Sequence, residues 1–357
     1  MPHTLFPYGW GDRVSALFAA LDLPGSTPGR VARVDRGSCL VVTDGGVVRA
    51  SPFGLTSRRA GLTEVPAAGD WVGVAHDPDD DPGVVAVLPR WSAISRKDPD
   101  ERVTAEQVLA ANLDVVAVVC ALDRPLGQNR LERMLAAAWE SGASPLVLLT
   151  KADMATDPAQ AVLDAGSAAG DVPVLLTSRV SGEGIDELRV LLQPSRTLAL
   201  LGPSGAGKSS LVNRLVGDDV QSTGAVREAD ARGRHTTTSR QLVPVPGGGV
   251  LLDTPGLRSL PLWDAEAGVA AVFDDVEELA ADCRFRDCRH EREPGCAVQG
   301  AVAAGALEGR RVESYHKLVH ELDALELRQG EQARRAVGRR GGKPARDVEE
   351  PKVQRDR

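Results

Sequence analysis

One run of residues constrains the fold more than any other. The apolar stretch TLALL leads directly into Gly202-Pro203-Ser204-Gly205-Ala206-Gly207-Lys208-Ser209, and then into Ser210 and LVNRLV. This is G-x-x-x-x-G-K-S between a strand and a helix, the setting in which a glycine-rich loop wraps phosphates. Backbone N–H groups of the loop and the positive end of the helix dipole face an anion there. Lys208 supplies a fixed charge to the β- and γ-phosphates, and Ser209 a hydroxyl for Mg²⁺. The chain must therefore hold an α/β layer with a parallel sheet.

The surrounding pattern agrees. Apolar runs such as LDVVAVVCAL, PLVLL, VPVLL and GVLLD alternate with helical segments such as NRLERMLAAAWES and GIDELRVLL. That alternation predicts βαβ units over residues 103–262. Residues 29–96 read differently, as short β runs divided by turns, with Asp44-Gly45-Gly46 as a hairpin signal and HDPDDDP as a solvated turn. They predict a small β-barrel of OB or SH3-like type. Residues 1–28 hold one amphipathic helix near Asp12 to Leu21 and a linker, PGSTPG. Residues 263–328 read as helices around a cysteine-rich segment. Residues 329–357 read as a basic disordered tail. The expected architecture is a multidomain α/β protein.

Three further motifs bear on a nucleotide. Asp253-Thr-Pro-Gly256 follows a strand, where a carboxylate can hold a Mg²⁺-bound water and the Gly256 N–H can meet a γ-phosphate. Thr150-Lys151-Ala152-Asp153 follows PLVLL and resembles the guanine-recognition motif N-K-x-D. Asp153 can accept from N1–H and the exocyclic amine of guanine, a pattern adenine lacks. Lys151 can lay its stem on the base. Thr150 replaces the usual asparagine, giving a shorter tether to the phosphate loop. Ser178, closing the next strand, completes the set. Unusually, Lys151 precedes Lys208 in the chain, the reverse of the common order. Strand ends meet in space regardless of chain order, and close termini make circular permutation tolerable.

Between the phosphate loop and Asp253 lies a long polar stretch with the character of a switch. One of Thr236, Thr237 and Thr238 is expected to complete the Mg²⁺ shell, with Thr237 preferred. Leu257 stands where many GTPases carry a water-orienting glutamine, so His235 is the candidate for that task. An exposed loop histidine is the competing assignment.

Cys283, Cys288, His290 and Cys296 supply three thiolates and an imidazole, the ligand set of a closed structural zinc site. Five cysteines is an odd number, and with no visible export signal a disulfide framework is not expected. Cys39 and Cys120 fit core positions. No apolar run approaches a membrane span. A net charge of −8 excludes bulk coating of nucleic acid, so RNA contacts must come from local patches. With FWY at 3% of residues, base stacking is a weaker source of such contacts than arginine and lysine.

Taken together, CRFRDCRHEREPGCAV, GPSGAGKSSL, GRHTTT, DTPG and TKAD resemble the circularly permuted family of ribosome small subunit-dependent GTPases. The resemblance runs from about Gly29 to Leu325. It implies an N-terminal OB-type barrel, a permuted P-loop GTPase domain and a C-terminal helical zinc domain. It also implies a cytoplasmic GTPase using GTP/GDP with Mg²⁺ and one structural Zn²⁺. Such a protein assists late maturation of the small ribosomal subunit, contacts its rRNA, hydrolyses GTP on subunit stimulation and then leaves. GRHTTT places the family's switch histidine on His235. A monomer without membrane attachment is expected, and loss of the γ-phosphate is expected to shift the C-terminal domain.

Overall fold

The structure is a computed structural model that describes residues 4–52, 64–77, 80–97, 106–193, 195–217, 241–253 and 265–340. Its first unit is a barrel of β1 (Ser26–Asp35), β2 (Ser38–Thr43), β3 (Gly46–Ala50), β4 (Trp71–Asp77) and β5 (Asp80–Val87). Strand β1 pairs antiparallel with both β2 and β4, and β4 pairs with β5. Closure comes just past β3. There Ser51 N–H donates to Pro82 O at 2.8 Å, and Val84 N–H donates to Ser51 O at 3.2 Å, a parallel bridge to β5. The cyclic order β1-β2-β3-β5-β4 selects the OB type from the two barrels that the sequence allowed. Val31, Val41, Val72, Val74 and Val84 fill it. Asp44-Gly45 turns the β2–β3 hairpin, since Thr43 pairs with Gly46. The acidic run lies at the β4–β5 turn, where Asp77 pairs with Asp80.

The start of the barrel differs from the sequence reading. The segment PGSTPG enters β1 at Ser26 instead of acting as a linker, because Thr27, Pro28 and Gly29 extend along β4. Before it, α1 (Asp12–Ala20) packs on the barrel through Val14, and Trp10 meets Trp71 edge-on at 5.5 Å. A hairpin of β6 (Ala93–Lys97) and β7 (Glu106–Ala111) then leads out of the barrel.

The second unit comprises β8 (Val115–Ala121), α2 (Gln128–Glu140), β9 (Ser144–Thr150), α3 (Pro158–Ala169), β10 (Val174–Leu176), α4 (Ile185–Leu191), β11 (Thr197–Leu201), α5 (Lys208–Val216), β12 (Gln241–Pro244) and β13 (Val250–Asp253). The sheet order is β10-β9-β8-β11-β13-β12. All neighbours are parallel except β12, which runs antiparallel to β13. Strand β8 is buried along its whole length, as a central parallel strand covered on both faces must be. Val116, Val118 and Cys120 pack with Leu131 and Met134 of α2; Val115, Ala117 and Val119 pack with Ile185 and Leu211 of α4 and α5. The phosphate-loop strand β11 sits mid-sheet. The strands that carry the guanine motif lie to one side of it, although they come first in the chain.

Barrel and sheet are joined directly. Arg33 of β1 pairs with Gln241 of β12. Arg30 is fully buried, and donates to Gly69 O (3.3 Å), Asn112 O (3.2 Å), Thr197 Oγ1 (2.8 Å) and Tyr8 O. One side chain thus holds the N-terminal segment, the barrel and the start of β11. Burial lowers its pKa to about 10, with Asp114 and Asp70 opposing the fall.

The C-terminal helices are α6 (Glu266–Val272), α7 (Asp274–Ala280), α8 (Ala297–Ala303) and α9 (Gly309–Arg340). Helix α6 lies so close to α2 that a Cβ on Gly268 would stand 2.1 Å from the Ala136 carbonyl oxygen. Beside it, the fully buried Glu132 carboxylate accepts from Arg310 (3.0 Å), Arg311 (3.3 Å) and Ser314. The tail expected from residue 329 is helical as far as Arg340. Glu331 to Arg340 carries no apolar stripe, but its Glu, Gln, Ala and Arg residues propagate a helix already nucleated by packing upstream. Among the described residues, no helix is long and apolar enough to cross a membrane.

Candidate nucleotide site and metal centre

The phosphate loop leaves β11 at Gly202, where φ is 159° and a Cβ would meet the Val119 carbonyl oxygen at 2.6 Å. Only glycine fits that close approach to β8. Pro203 and Ser204 follow, and Gly205 (φ 79°) and Gly207 (φ 90°) take left-handed conformations that carry the chain around into α5. Ala206 is buried beneath the loop, while Ser209 in the first turn of α5 is exposed, with Ser210 beside it. The Lys208 ammonium donates to the carbonyls of Gly202 (2.6 Å) and Pro203 (2.8 Å), so its charge spans the loop's mouth.

The loop after β9 reaches the same sheet edge. Thr150 is buried, and its hydroxyl donates to Ala206 O at 2.7 Å. The threonine therefore makes the tether that its short side chain left in question. Lys151 stands in the left-handed region at φ 60°, and Ala152, Asp153 and Met154 form a short 3-10 turn. The Ala152 N–H donates to Thr177 O at 3.1 Å. The Ser178 hydroxyl donates to the Asp153 carboxylate, while the N–H groups of Val180 and Ser181 donate to Ser178 Oγ at 3.1 and 3.2 Å. Thr150, Lys151, Asp153 and Ser178 thus converge with Lys208 at the C-terminal ends of β9, β10 and β11. A crevice there, beside the central strand, is where open α/β sheets bind ligands.

Asp253 closes β13, the neighbour of β11 on its other side. His235, Thr237 and Gly256 lie outside the described residues. One participant escaped the sequence reading. Asp123, two residues beyond β8, accepts from the Lys151 ammonium at 2.6 Å and from Arg124 Nε at 2.9 Å. Arg124, then Lys151, hold its carboxyl well below the usual carboxylate range. An acidic residue just past a central strand end was the available signal.

Cys283 follows α7, Cys288 and His290 occupy the next loop, and Cys296 caps α8 by accepting from the Gln299 N–H at 3.4 Å. All four ligand atoms lie within 4.8 Å of one another. The Cys283 and Cys296 sulfurs are 3.9 Å apart, and each stands 3.6 or 3.5 Å from His290 Nδ1. A zinc tetrahedron with Zn–S bonds of about 2.3 Å has S···S edges of about 3.8 Å, so the cluster fits that ion. Burial, then the nearby His316, lowers the His290 pKa, which favours the neutral imidazole a metal requires. Gln299 donates to the His290 carbonyl at 2.6 Å and fixes the loop. All five cysteines are free thiols.

Comparison with known proteins agrees with this geometry. Residues 87–263 match the RsgA GTPase family. A relative from Streptomyces avermitilis, "Small ribosomal subunit biogenesis GTPase RsgA", is 50% identical over 323 residues, covering 89% of this chain and 86% of the relative. The Streptomyces coelicolor protein of the same name is 48% identical over 337 residues, covering 93% of this chain and 90% of its own. Among solved structures, YjeQ from Thermotoga maritima is similar at a TM-score of 0.62 and 26% identity, covering 83% of this chain and 98% of that one. YloQ, described as a circularly permuted GTPase, shares the fold at a TM-score of 0.59 and 22% identity, over 84% of this chain and 96% of its own. Sheet order, loop placement and sequence similarity lead to one conclusion: the chain belongs to the RsgA family of circularly permuted GTPases.

Proposed function

We propose that this GTPase binds the small ribosomal subunit, assists its late maturation, hydrolyses GTP when the subunit stimulates it, and then dissociates. The observation that carries the nucleotide reading is the 2.7 Å bond from Thr150 to Ala206, which ties the guanine-type loop to the phosphate loop. In this reading Gly202 to Ser210 cradle the phosphates, Lys208 neutralises them, and Thr150, Lys151, Ala152, Asp153 and Ser178 hold guanine. Asp153 discriminates because adenine would leave its carboxylate unpaired. Ser209 and Thr237 would hold Mg²⁺, which supplies charge neutralisation at the transferring phosphoryl group. Asp253 and Gly256 would flank the γ-phosphate, and His235 would orient the attacking water. The Cys283, Cys288, His290 and Cys296 cluster would hold one zinc that folds the C-terminal domain, since four protein ligands leave no open position.

The printed names of the Streptomyces relatives support the ribosomal assignment. Contacts to rRNA would be electrostatic, through basic groups such as Arg96 and the arginines around the zinc ligands, and would weaken steeply with salt. A cytoplasmic monomer fits this role. The domain limits proposed are 29–96 for the barrel, 103–262 for the GTPase and 263–328 for the zinc unit.

Two measurements test the reading. Single-turnover GTP hydrolysis with and without purified small subunits should show strong stimulation, lost in His235→Ala; unstimulated hydrolysis would refute it. Asp153→Asn should exchange guanine for xanthine preference, because an amide N–H matches the xanthine 2-oxo group where the carboxylate matched an amine. Retained guanine preference would remove Asp153 from the pocket.

A further inference from the structure

Asp123 has no part in the motifs above, yet it sits among them. Register aligns Ala121 of β8 with Thr150 of β9, so Asp123 and Lys151 emerge side by side at the same sheet edge. The Lys151 ammonium donates to Asp123 Oδ2 at 2.6 Å. The other carboxylate oxygen is occupied by Arg124 Nε at 2.9 Å, and Arg124 Nη2 reaches Oδ2 at 3.3 Å. The carboxylate is therefore fixed by a second cation and cannot simply swing after the lysine. At its own end Lys151 is fixed too, by the Thr150 tether before it and the Ala152 bond to Thr177 after it. With backbone and ammonium both anchored, the four-carbon stem has few conformations left. A free lysine side chain has rotamer entropy that ordering against a planar ligand would otherwise lose at the moment of binding.

We infer that Asp123 is a positioning residue for base recognition, holding the Lys151 stem ready to cover the purine. The inference rests on the guanine reading of the Thr150–Asp153 loop and names a contributor outside that motif. Asp123 does not touch the base. It acts through the lysine, and what it changes is the affinity for a ligand that carries a guanine ring.

The test uses the full chain and GDP labelled on the ribose with a fluorophore. Asp123→Asn should weaken binding about three- to five-fold, the range expected for a partly exposed ion pair. In a Lys151→Met background, which keeps an apolar stem and removes the ammonium, the same change should cost less than about 1.5-fold. Asp123→Glu should recover most of the affinity. Inorganic tripolyphosphate, which has no base, should bind parent and Asp123→Asn equally. A loss that persists in Lys151→Met, an equal loss for tripolyphosphate, or no loss at all would each overturn the inference. Asp153→Asn separates the two levels. If it abolishes guanine preference while Asp123→Asn binds like the parent, only the positioning role falls. If it leaves guanine preference intact, the pocket reading itself is wrong.

Discussion

Thr150→Val isolates the bond on which the two halves of the nucleotide site depend. Valine matches threonine in shape, so the buried packing at 5% exposure is kept and only the hydroxyl is lost. The missing donor leaves the Ala206 carbonyl without its 2.7 Å partner. Losing a buried hydrogen bond of this kind costs about 1–3 kcal/mol. Because the bond exists in the nucleotide-free chain, most of the loss must appear as stability. For a unit of this size, about 1–3 kcal/mol lowers the melting temperature by roughly 2–12 °C. Only the part of the bond that tightens around nucleotide reaches the affinity, so GDP binding should weaken by less than about tenfold. Thermal melting with and without saturating GDP gives both quantities. Thr150→Ser keeps the hydroxyl and should lie close to the parent. A valine variant that melts and binds GDP like the parent would show that the two loops are held together by something else.

Other contacts give further tests. Glu132→Ala leaves Arg310 and Arg311 facing an empty buried position, although Arg311 keeps Asp275 at 2.9 Å; the expected loss is about 3 kcal/mol, read by urea unfolding, and faster proteolysis of the C-terminal helices. Glu132→Gln should cost less, because the amide oxygen still accepts. Elemental analysis should find one zinc per chain. Chelation or Cys296→Ser should remove it and lower the helical signal, and an unchanged spectrum without zinc would contradict a structural role. Arg30→Met should cost about 3 kcal/mol, since the carbonyls of Gly69 and Asn112 and the Thr197 hydroxyl lose a common donor. Hydrogen exchange should then rise along β1 and β11 together.

Most of the site was legible because its chemistry is local in sequence. Gly202 to Ser209 must follow a strand and open a helix, and a parallel sheet around β11 follows from that requirement. The four metal ligands also fall within one short segment, so spacing alone brought them together. What escaped depends on register. Asp123 meets Lys151 only because β8 and β9 align Ala121 with Thr150, and a one-residue slip would separate them. Glu132 reads as an ordinary polar helix residue until α6 and α9 bury it. Arg30 looks like a surface arginine in a β run, and its burial needs four segments distant in the chain. The helical end at Arg340 shows a weaker rule: absence of an apolar stripe predicts an unpacked segment, not a non-helical one.

The permuted order gives the C-terminal helices two attachments with different physical characters. One is covalent, through the chain that continues from Asp253 at the phosphate side of the site. The other is the packed contact with α2, sealed by Gly268 against Ala136 and by the buried Glu132 carboxylate. Helix α2 follows β8 and the Asp123 turn, on the guanine side. A rigid displacement of the whole C-terminal unit would therefore have to break the Glu132 contacts, or else move α2 with it. A small displacement would strip the fully buried carboxylate of its Arg310 and Arg311 donors before water could replace them, which makes that route costly. Moving α2 instead would disturb Leu131 and Met134 against β8, the central strand of the sheet. A nucleotide-driven shift that keeps both sets of contacts must therefore leave α2, α6 and α9 as one block.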